Sequence, residues 1–308
     1  MLKVIYIAGA GRSGSTVLDT ILGNHPEIES LGEVVNAPRA WENPSEYCAC
    51  GIVAGNCPFW NDVRSRWKAI GPSIGSVSNW KGLQARYERL RWVYRSYLNK
   101  YLQTASFREY AKGIEALYTA IAHKTGKQFI VDSSKNPVRA LALTRMKSIE
   151  LVLIHLIRDG RGVAWSYNKP YKKNPKKGIQ FDMLGLPVWR SALGWIISNK
   201  ITEVAKGQLP EGKSLRIFYE DFVQEPERTL LNIGGLCGLD FSSVISDLQN
   251  NKVMKVGHTI AGNRVRMDGA IKLRADLEWK KYLSHKQLRL FWLFAGRMAS
   301  RYGYNKTL

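Results

Sequence analysis

The sequence predicts an α/β fold, with a mainly parallel sheet flanked by helices and a phosphate-binding loop at one edge. Three observations carry this expectation. The run Gly9-Ala10-Gly11-Arg12-Ser13-Gly14-Ser15-Thr16 follows the apolar residues 4–8 and leads into 17–22, which can continue as a helix. Strand, glycine-rich turn and helix in that order make a loose glycine pattern into a phosphate loop. A second apolar run, 151–157, ends in Arg158-Asp159-Gly160-Arg161-Gly162 and again enters a helical stretch. Further apolar runs at 127–132 and 214–218 alternate with helical segments, as βαβ units require.

The first strand is read at 3–8. In the loop after it, glycines let successive N–H groups face inward, and the following helix adds the positive end of its dipole. The spacing Gly9-x4-Gly14-x-Thr16 is that of a Walker A loop, but Ser15 stands where nucleotide triphosphatases carry lysine. The cation is Arg12 instead, so the loop suits an anionic phosphate without the usual clamp on a γ-phosphate. An incidental glycine turn would not need Arg12 and three hydroxyls inside it. After this helix, His25 in Gly23-Asn24-His25-Pro26 reads as a turn or capping residue.

Residues 36–80 are rich in Pro, Gly, Trp and Asn and read as an irregular insertion. It holds Cys48, Cys50 and Cys57; Cys237 is the fourth cysteine. Three thiolates at that spacing would need a fourth ligand from elsewhere to hold zinc. A disulfide from Cys57 to Cys48 or Cys50 is not expected in a reducing compartment. Ordinary thiols are therefore the expectation, and no metal is expected. Residues 80–125 read as two helices, the first over 83–102 with its aromatics packed on the core.

The strand at 127–132 leads to Asp132-Ser133-Ser134-Lys135, which directs Lys135 towards the crevice at the carboxyl ends of the strands. The 151–157 strand is apolar apart from an internal His155, and places Arg158 on the same sheet edge, where ligands bind in open α/β sheets. Ser166, two turns further on, is placed to reach the same anion. Residues 169–177, with five lysines and two prolines, read as a mobile basic loop. Tyr219 follows the 214–218 strand, and 288–302 reads as a helix covering the sheet.

These residues resemble the sulfotransferases that use 3′-phosphoadenosine-5′-phosphosulfate. Gly11-Arg12-Ser13-Gly14-Ser15-Thr16 looks like their 5′-phosphosulfate loop, and Arg158 through Ser166 like their 3′-phosphate element. Leu31-Gly32-Glu33, Asp132-Ser133-Ser134-Lys135, Phe218-Tyr219-Glu220-Asp221-Phe222 and His258-x3-Gly262-Asn263-Arg264-x-Arg266 are also similar. The resemblance spans about residues 4–280 in order. It is nearest to the bacterial and tyrosylprotein branches, because Leu31-Gly32-Glu33 replaces the histidine-bearing segment of the cytosolic steroid and phenol enzymes.

The resemblance implies a P-loop sulfotransferase-like fold, in one domain over residues 1–308. It also implies a sulfate donor held by Gly11, Arg12, Ser13, Gly14, Ser15, Thr16, Arg158, Ser166, Tyr219, Asn263, Arg264 and Arg266. Glu33 is the expected general base, and Arg12 and Lys135 the groups that stabilise the transferring sulfuryl. An ATP-dependent P-loop kinase is the alternative within the fold class, with 129–132 as its second motif. A non-enzymatic binder of an anionic polymer rests on net charge alone.

The formal charge of +21, from 46 Lys and Arg against 25 Asp and Glu, calls for an anionic partner. It leans the acceptor towards an acidic or carbohydrate hydroxyl, while glycan, peptide tyrosine, lipid-linked sugar and small natural product all stay open. Nucleic acid is not expected. No apolar run approaches the ~20 residues of a membrane span, so a soluble cytoplasmic protein is expected, the alternative being a trimmed lumenal form of a Golgi-anchored enzyme.

Overall fold

The computed structural model describes residues 1–71, 77–98, 103–180, 182–271 and 273–306. Its sheet is built on β1 (Leu2–Ala8), which continues through the glycine loop into α1 (Ser15–Leu22). A three-residue strand, β2 (Ile28–Ser30), follows, then α2 (Ala37–Ala40), α3 (Pro58–Ile70), α4 (Val77–Glu88), α5 (Val93–Leu98) and α6 (Ala105–Thr125). The chain returns as β3 (Phe129–Lys135), α7 (Pro137–Leu143), β4 (Ile149–Ile157), α8 (Gly160–Asn168), α9 (Val188–Lys206) and β5 (Ser214–Phe218). Then come α10 (Tyr219–Gln224), α11 (Pro226–Cys237), α12 (Ser242–Gln249), the small ribbon β6 (Met254–Lys255) and β7 (Ala270–Ile271), α13 (Trp279–Tyr282) and α14 (His285–Arg301).

The five main strands lie in the order β2-β3-β1-β4-β5, all parallel. The chain adds strands on one side of β1 and then crosses to the other, so β1 and its loop sit where the winding reverses. That reversal opens a crevice at the carboxyl ends of the strands.

Alternation along the strands sends side chains to two cores. Val4, Tyr6, Ile130, Leu151 and Leu153 face the helices α2 to α7. Ile5, Ile7, Val131, Val152 and Ile154 face α1, α11 and α12. Both faces are covered, which is why these strands read as nearly continuous apolar runs. A third cluster, around Trp195 and Phe291, packs α8, α9 and α14 together.

Several boundaries differ from expectation. The segment 36–80 is not wholly irregular: α3 buries Phe59, Trp60, Val63 and Trp67 on one stripe. The stripe is legible as i, i+1, i+4, i+8, but the surrounding Gly and Pro residues mask it. The helix expected over 83–102 breaks at Arg89, where the backbone turns extended, and resumes as α5; residues 99–102 lie outside the described residues. The strand β2 is too short to show a period. Residues 169–177 are held in a small hairpin, with bridges Tyr171 to Met183 and Asn174 to Ile179. Among the described residues no helix is long and apolar enough to cross a membrane.

Candidate active site

The loop after β1 is packed from three sides. Gly14 has φ 87° and precedes α1, and a Cβ there would lie 2.5 Å from Tyr219 Cδ2. A Cβ at Gly11 would meet the Tyr167 hydroxyl at 2.2 Å. Glycine is therefore required at both positions to let the backbone touch two aromatic walls. The first N–H groups of α1 have no partner within the helix, as in any helix start. Ser13 is buried, and its hydroxyl has no hydrogen-bond partner among the described residues. Arg12 makes no ion pair among the described residues; its guanidinium lies 5.5 Å from the Tyr167 ring centre.

Among the described residues, four non-glycine residues adopt positive φ: Arg12 (66°), Lys135 (61°), Asn251 (52°) and Ala261 (54°). Such conformations cost of order 1 kcal/mol or more each and persist where the surroundings over-determine them. Three of the four border this crevice. Lys135 is placed by an irregularity in the β1–β3 pairing, where Tyr6 faces Asp132 but Ala8 faces Lys135. The extra residue in β3 brings Lys135 beside the last residue before the loop.

Glu33 and Lys135 form an ion pair at 2.5 Å, with their side chains 18% and 15% exposed. Asn36 Nδ2 donates to the other Glu33 oxygen at 2.8 Å. The backbone around Glu33 is fixed from two directions. Its N–H donates to Ile260 O at 3.2 Å, and Ser133 N–H donates to Gly32 O at 2.9 Å. Gly262 packs against both Glu33 and Thr16, and Asn263 N–H donates to Thr16 Oγ1 at 3.3 Å. The loop, Glu33, Lys135 and Asn263 are thus brought together.

Arg158 lies at the end of β4, only 5% exposed. Its Nη1 donates to Arg12 O at 2.9 Å, and its Nη2 pairs with Asp276 at 3.0 Å. The guanidinium stacks 4.7 Å from the centre of the Tyr219 ring, whose hydroxyl donates to Arg274 O at 3.1 Å. Burial raises the Tyr219 phenol, while Arg158 opposes that rise. Ser166 lies half-buried on α8. Arg161 pairs with Asp159, the N-cap of α8, and stacks on Trp279, away from the loop.

Two members of the late basic segment differ from the rest. Arg264 is exposed, over the Tyr171 ring at 4.8 Å. Arg266 is fully buried and pairs with Glu46 at 2.9 Å, so its guanidinium anchors the segment. This partner was not expected. It is a carboxylate 220 residues away in sequence, which local reading cannot supply.

His25, His155, Asp132 and Asp19 are engaged elsewhere. His25 bonds Asp240 O at 3.0 Å through Nε2. His155 is buried against Asn199, and burial lowers its pKa to about 4. Asp132 is fully buried and accepts from Tyr118 at 2.7 Å and from Ser134, with Arg139 Nη2 at 3.3 Å. Burial also raises the Asp19 carboxyl, which accepts from Ser30 beneath α1, to about 7.

Tyr167, Asn36 and Asp276 border the site without any signal in the sequence, because each is ordinary for its local segment. Cys48, Cys50 and Cys57 are free thiols. With His258 they form a cluster that could hold a metal ion, which supplies the fourth ligand their spacing called for.

Comparison with known proteins identifies the family and the fold. A sequence model described as the sulfotransferase family matches residues 56–243, a stretch that includes Lys135, Arg158, Ser166 and Tyr219. No curated protein matches the chain in sequence. The fold is similar to the sulfotransferase domain of the Synechococcus PCC 7002 olefin synthase. That match has a TM-score of 0.50 at 17% identity and covers 98% of this chain and 95% of that one. It is also similar to the sulfotransferase domain from the curacin biosynthetic pathway, with a TM-score of 0.51 at 15% identity, covering 99% of both chains.

Proposed function

This chain belongs to the sulfotransferase family, and we propose that it moves a sulfuryl group from 3′-phosphoadenosine-5′-phosphosulfate to an acceptor hydroxyl by in-line displacement. The supporting observation is the convergence of Arg12, the Glu33–Lys135 pair and Arg158 on one sheet edge, with strained backbone at Arg12, Lys135 and Ala261. The donor suits this edge because, among the described residues, the loop's buried Ser13 hydroxyl has no hydrogen-bond partner and its Arg12 no ion pair. When bound, the donor supplies the sulfuryl group and a phosphate leaving group.

Each residue then has a separate task. Arg12, the loop N–H groups, Ser15 and Thr16 take up charge on the leaving side. Arg158, Ser166, Asn263 and Arg264 bind the 3′-phosphate end, and Tyr219 contacts the base. Arg266 positions the 262–266 segment through Glu46 and is left out of direct contact. Lys135 orients Glu33 and lends positive charge to the transferring group. Glu33 accepts the proton of the acceptor hydroxyl, since each carboxylate oxygen keeps a lone pair beyond the bonds from Lys135 and Asn36. The charge of +21 favours an acidic or carbohydrate acceptor.

An ATP-dependent kinase is a poorer fit. It needs a lysine at position 15 and a carboxylate at 132 free to work, but Ser15 stands there and Asp132 is occupied by Tyr118, Ser134 and Arg139. Adenosine 3′,5′-bisphosphate is therefore expected to raise the melting temperature well above the effect of ATP with magnesium, since a ligand of the native state stabilises it. The opposite ranking supports the kinase. Transfer itself is tested by incubating the protein with isotopically labelled donor and a panel of acceptors, then seeking the added sulfuryl by mass spectrometry.

Arg158→Ala separates the two anion positions. Binding of the 3′,5′-bisphosphate should weaken about ten- to a hundredfold, the worth of a charge-assisted bond. A nucleotide lacking the 3′-phosphate should lose little. Equal losses measured by calorimetry assign Arg158 to holding the loop through Arg12 O.

A further inference from the structure

Sulfuryl transfer uses none of the three cysteines of the 36–80 segment, yet the fold gathers them. Residues 47–53 form a tight hairpin: Tyr47 bridges to Val53, Cys48 N–H donates to Ile52 O at 2.9 Å, and Gly51 N–H donates to Cys48 O at 2.9 Å. Cys48 and Cys50 sit on this turn. Cys57 caps the start of α3. His258 arrives from a segment 201 residues after Cys57. One ligand atom from each of the four lies within 4.8 Å of all the others.

The separations identify what the cluster suits. Cys50 Sγ and Cys57 Sγ are 3.7 Å apart, Cys48 Sγ and His258 Nδ1 3.7 Å, and Cys57 Sγ and His258 Nδ1 3.4 Å. A disulfide needs about 2.05 Å between sulfurs. A tetrahedral zinc, with Zn–S about 2.3 Å and Zn–N about 2.0–2.1 Å, has edges of about 3.8 Å between sulfurs and about 3.6 Å from sulfur to nitrogen. These three of the cluster's six edges fall close to the second set, and the other three lie within 4.8 Å.

We propose that Cys48, Cys50, Cys57 and His258 bind one zinc ion, which ties the segment carrying His258 to the cysteine hairpin. Four protein ligands leave no open coordination position, so the ion is structural and not catalytic. The surroundings are those of a built site. Trp60 Nε1 donates to His258 O at 2.8 Å, and the Phe59 ring stacks on the His258 ring at 4.6 Å and 5°. Such outer contacts orient ligands and tune the ion.

The site also has a place in the architecture. Four residues after His258, Gly262 rests against Thr16 and Glu33, and Arg266 pairs with Glu46, two residues before Cys48. The metal and the ion pair hold the same two segments together beside the crevice.

The test does not depend on sulfuryl transfer, so its outcome and that of the proposed activity are separable. Elemental analysis of the purified wild-type chain should find one zinc per chain, and X-ray absorption should show three sulfurs and one nitrogen around it. Replacing zinc by cobalt should give the intense visible bands of a tetrahedral thiolate site. His258→Ala and Cys50→Ser should each weaken zinc binding by more than about a hundredfold, beyond the ~10–100-fold cost of losing a mere outer contact. Wild-type protein that stays metal-free after incubation with zinc overturns the proposal, whether or not the variants fold. So does a Cys50–Cys57 disulfide in denaturing mass spectrometry.

Discussion

Glu33→Gln is expected to lower turnover by roughly 10²–10⁴-fold, the usual worth of a positioned general base. Glutamine keeps the volume and a carbonyl able to accept from Lys135 or Asn36, but cannot take a proton at neutral pH. Donor affinity should stay nearly unchanged, because the contacts proposed for the nucleotide, from Arg12, the loop N–H groups and Arg158, are untouched. Lys135→Ala should also cut turnover, with some loss of donor affinity. Steady-state kinetics and nucleotide binding on the same preparations separate the two. Near-normal turnover of Glu33→Gln across pH, with loss of turnover in His25→Ala or His155→Ala, would falsify the base assignment and leave the family untouched.

Arg139→Met should reduce folding stability by about 3–5 kcal/mol, the range for removing one partner of a buried ion pair. Arg139 is fully buried, with Nη1 2.6 Å from Glu88 and Nη2 3.3 Å from Asp132. Tyr110 donates to Glu88 at 2.8 Å and Tyr118 to Asp132 at 2.7 Å. Without the guanidinium, two buried carboxyls share no counter-charge. Burial already raises the Glu88 carboxyl and Arg139 opposes that rise, so its loss raises Glu88 further. A carboxyl with a higher pKa folded than unfolded costs stability as pH rises through that interval. The deficit, read from urea unfolding, should therefore be smaller near pH 5 than at pH 8. A loss under about 1 kcal/mol at both would show that the network is dispensable.

The same network reaches the crevice, because Asp132 holds Ser134, whose hydroxyl accepts from Val35 N–H at 3.0 Å, two residues after Glu33. Arg139→Met should thus lower turnover even at temperatures where it remains folded.

What the sequence by itself determined is what a short window can encode. The glycine loop is legible because strand, turn and helix follow one another within about twenty residues, and each has its own period or steric demand. The central strands are legible because burial on both faces makes them apolar throughout. Arg158 is legible because a cation directly after such a strand must stand at the sheet edge.

Tertiary structure alone decided the pairings. Lys135 meets Glu33 across 102 residues, Arg266 meets Glu46 across 220, and His258 joins Cys48 across 210. Each partner is an ordinary polar residue in its own window, and nothing local distinguishes a lysine that will meet a glutamate from one that meets water. The strand order and the bulge in β3 choose the partners, by fixing which chain ends share an edge. Once they share it, burial makes an unpaired charge costly, so the tertiary fold, not the local sequence, selects Glu33 for Lys135 and Glu46 for Arg266, and brings His258 beside the cysteines.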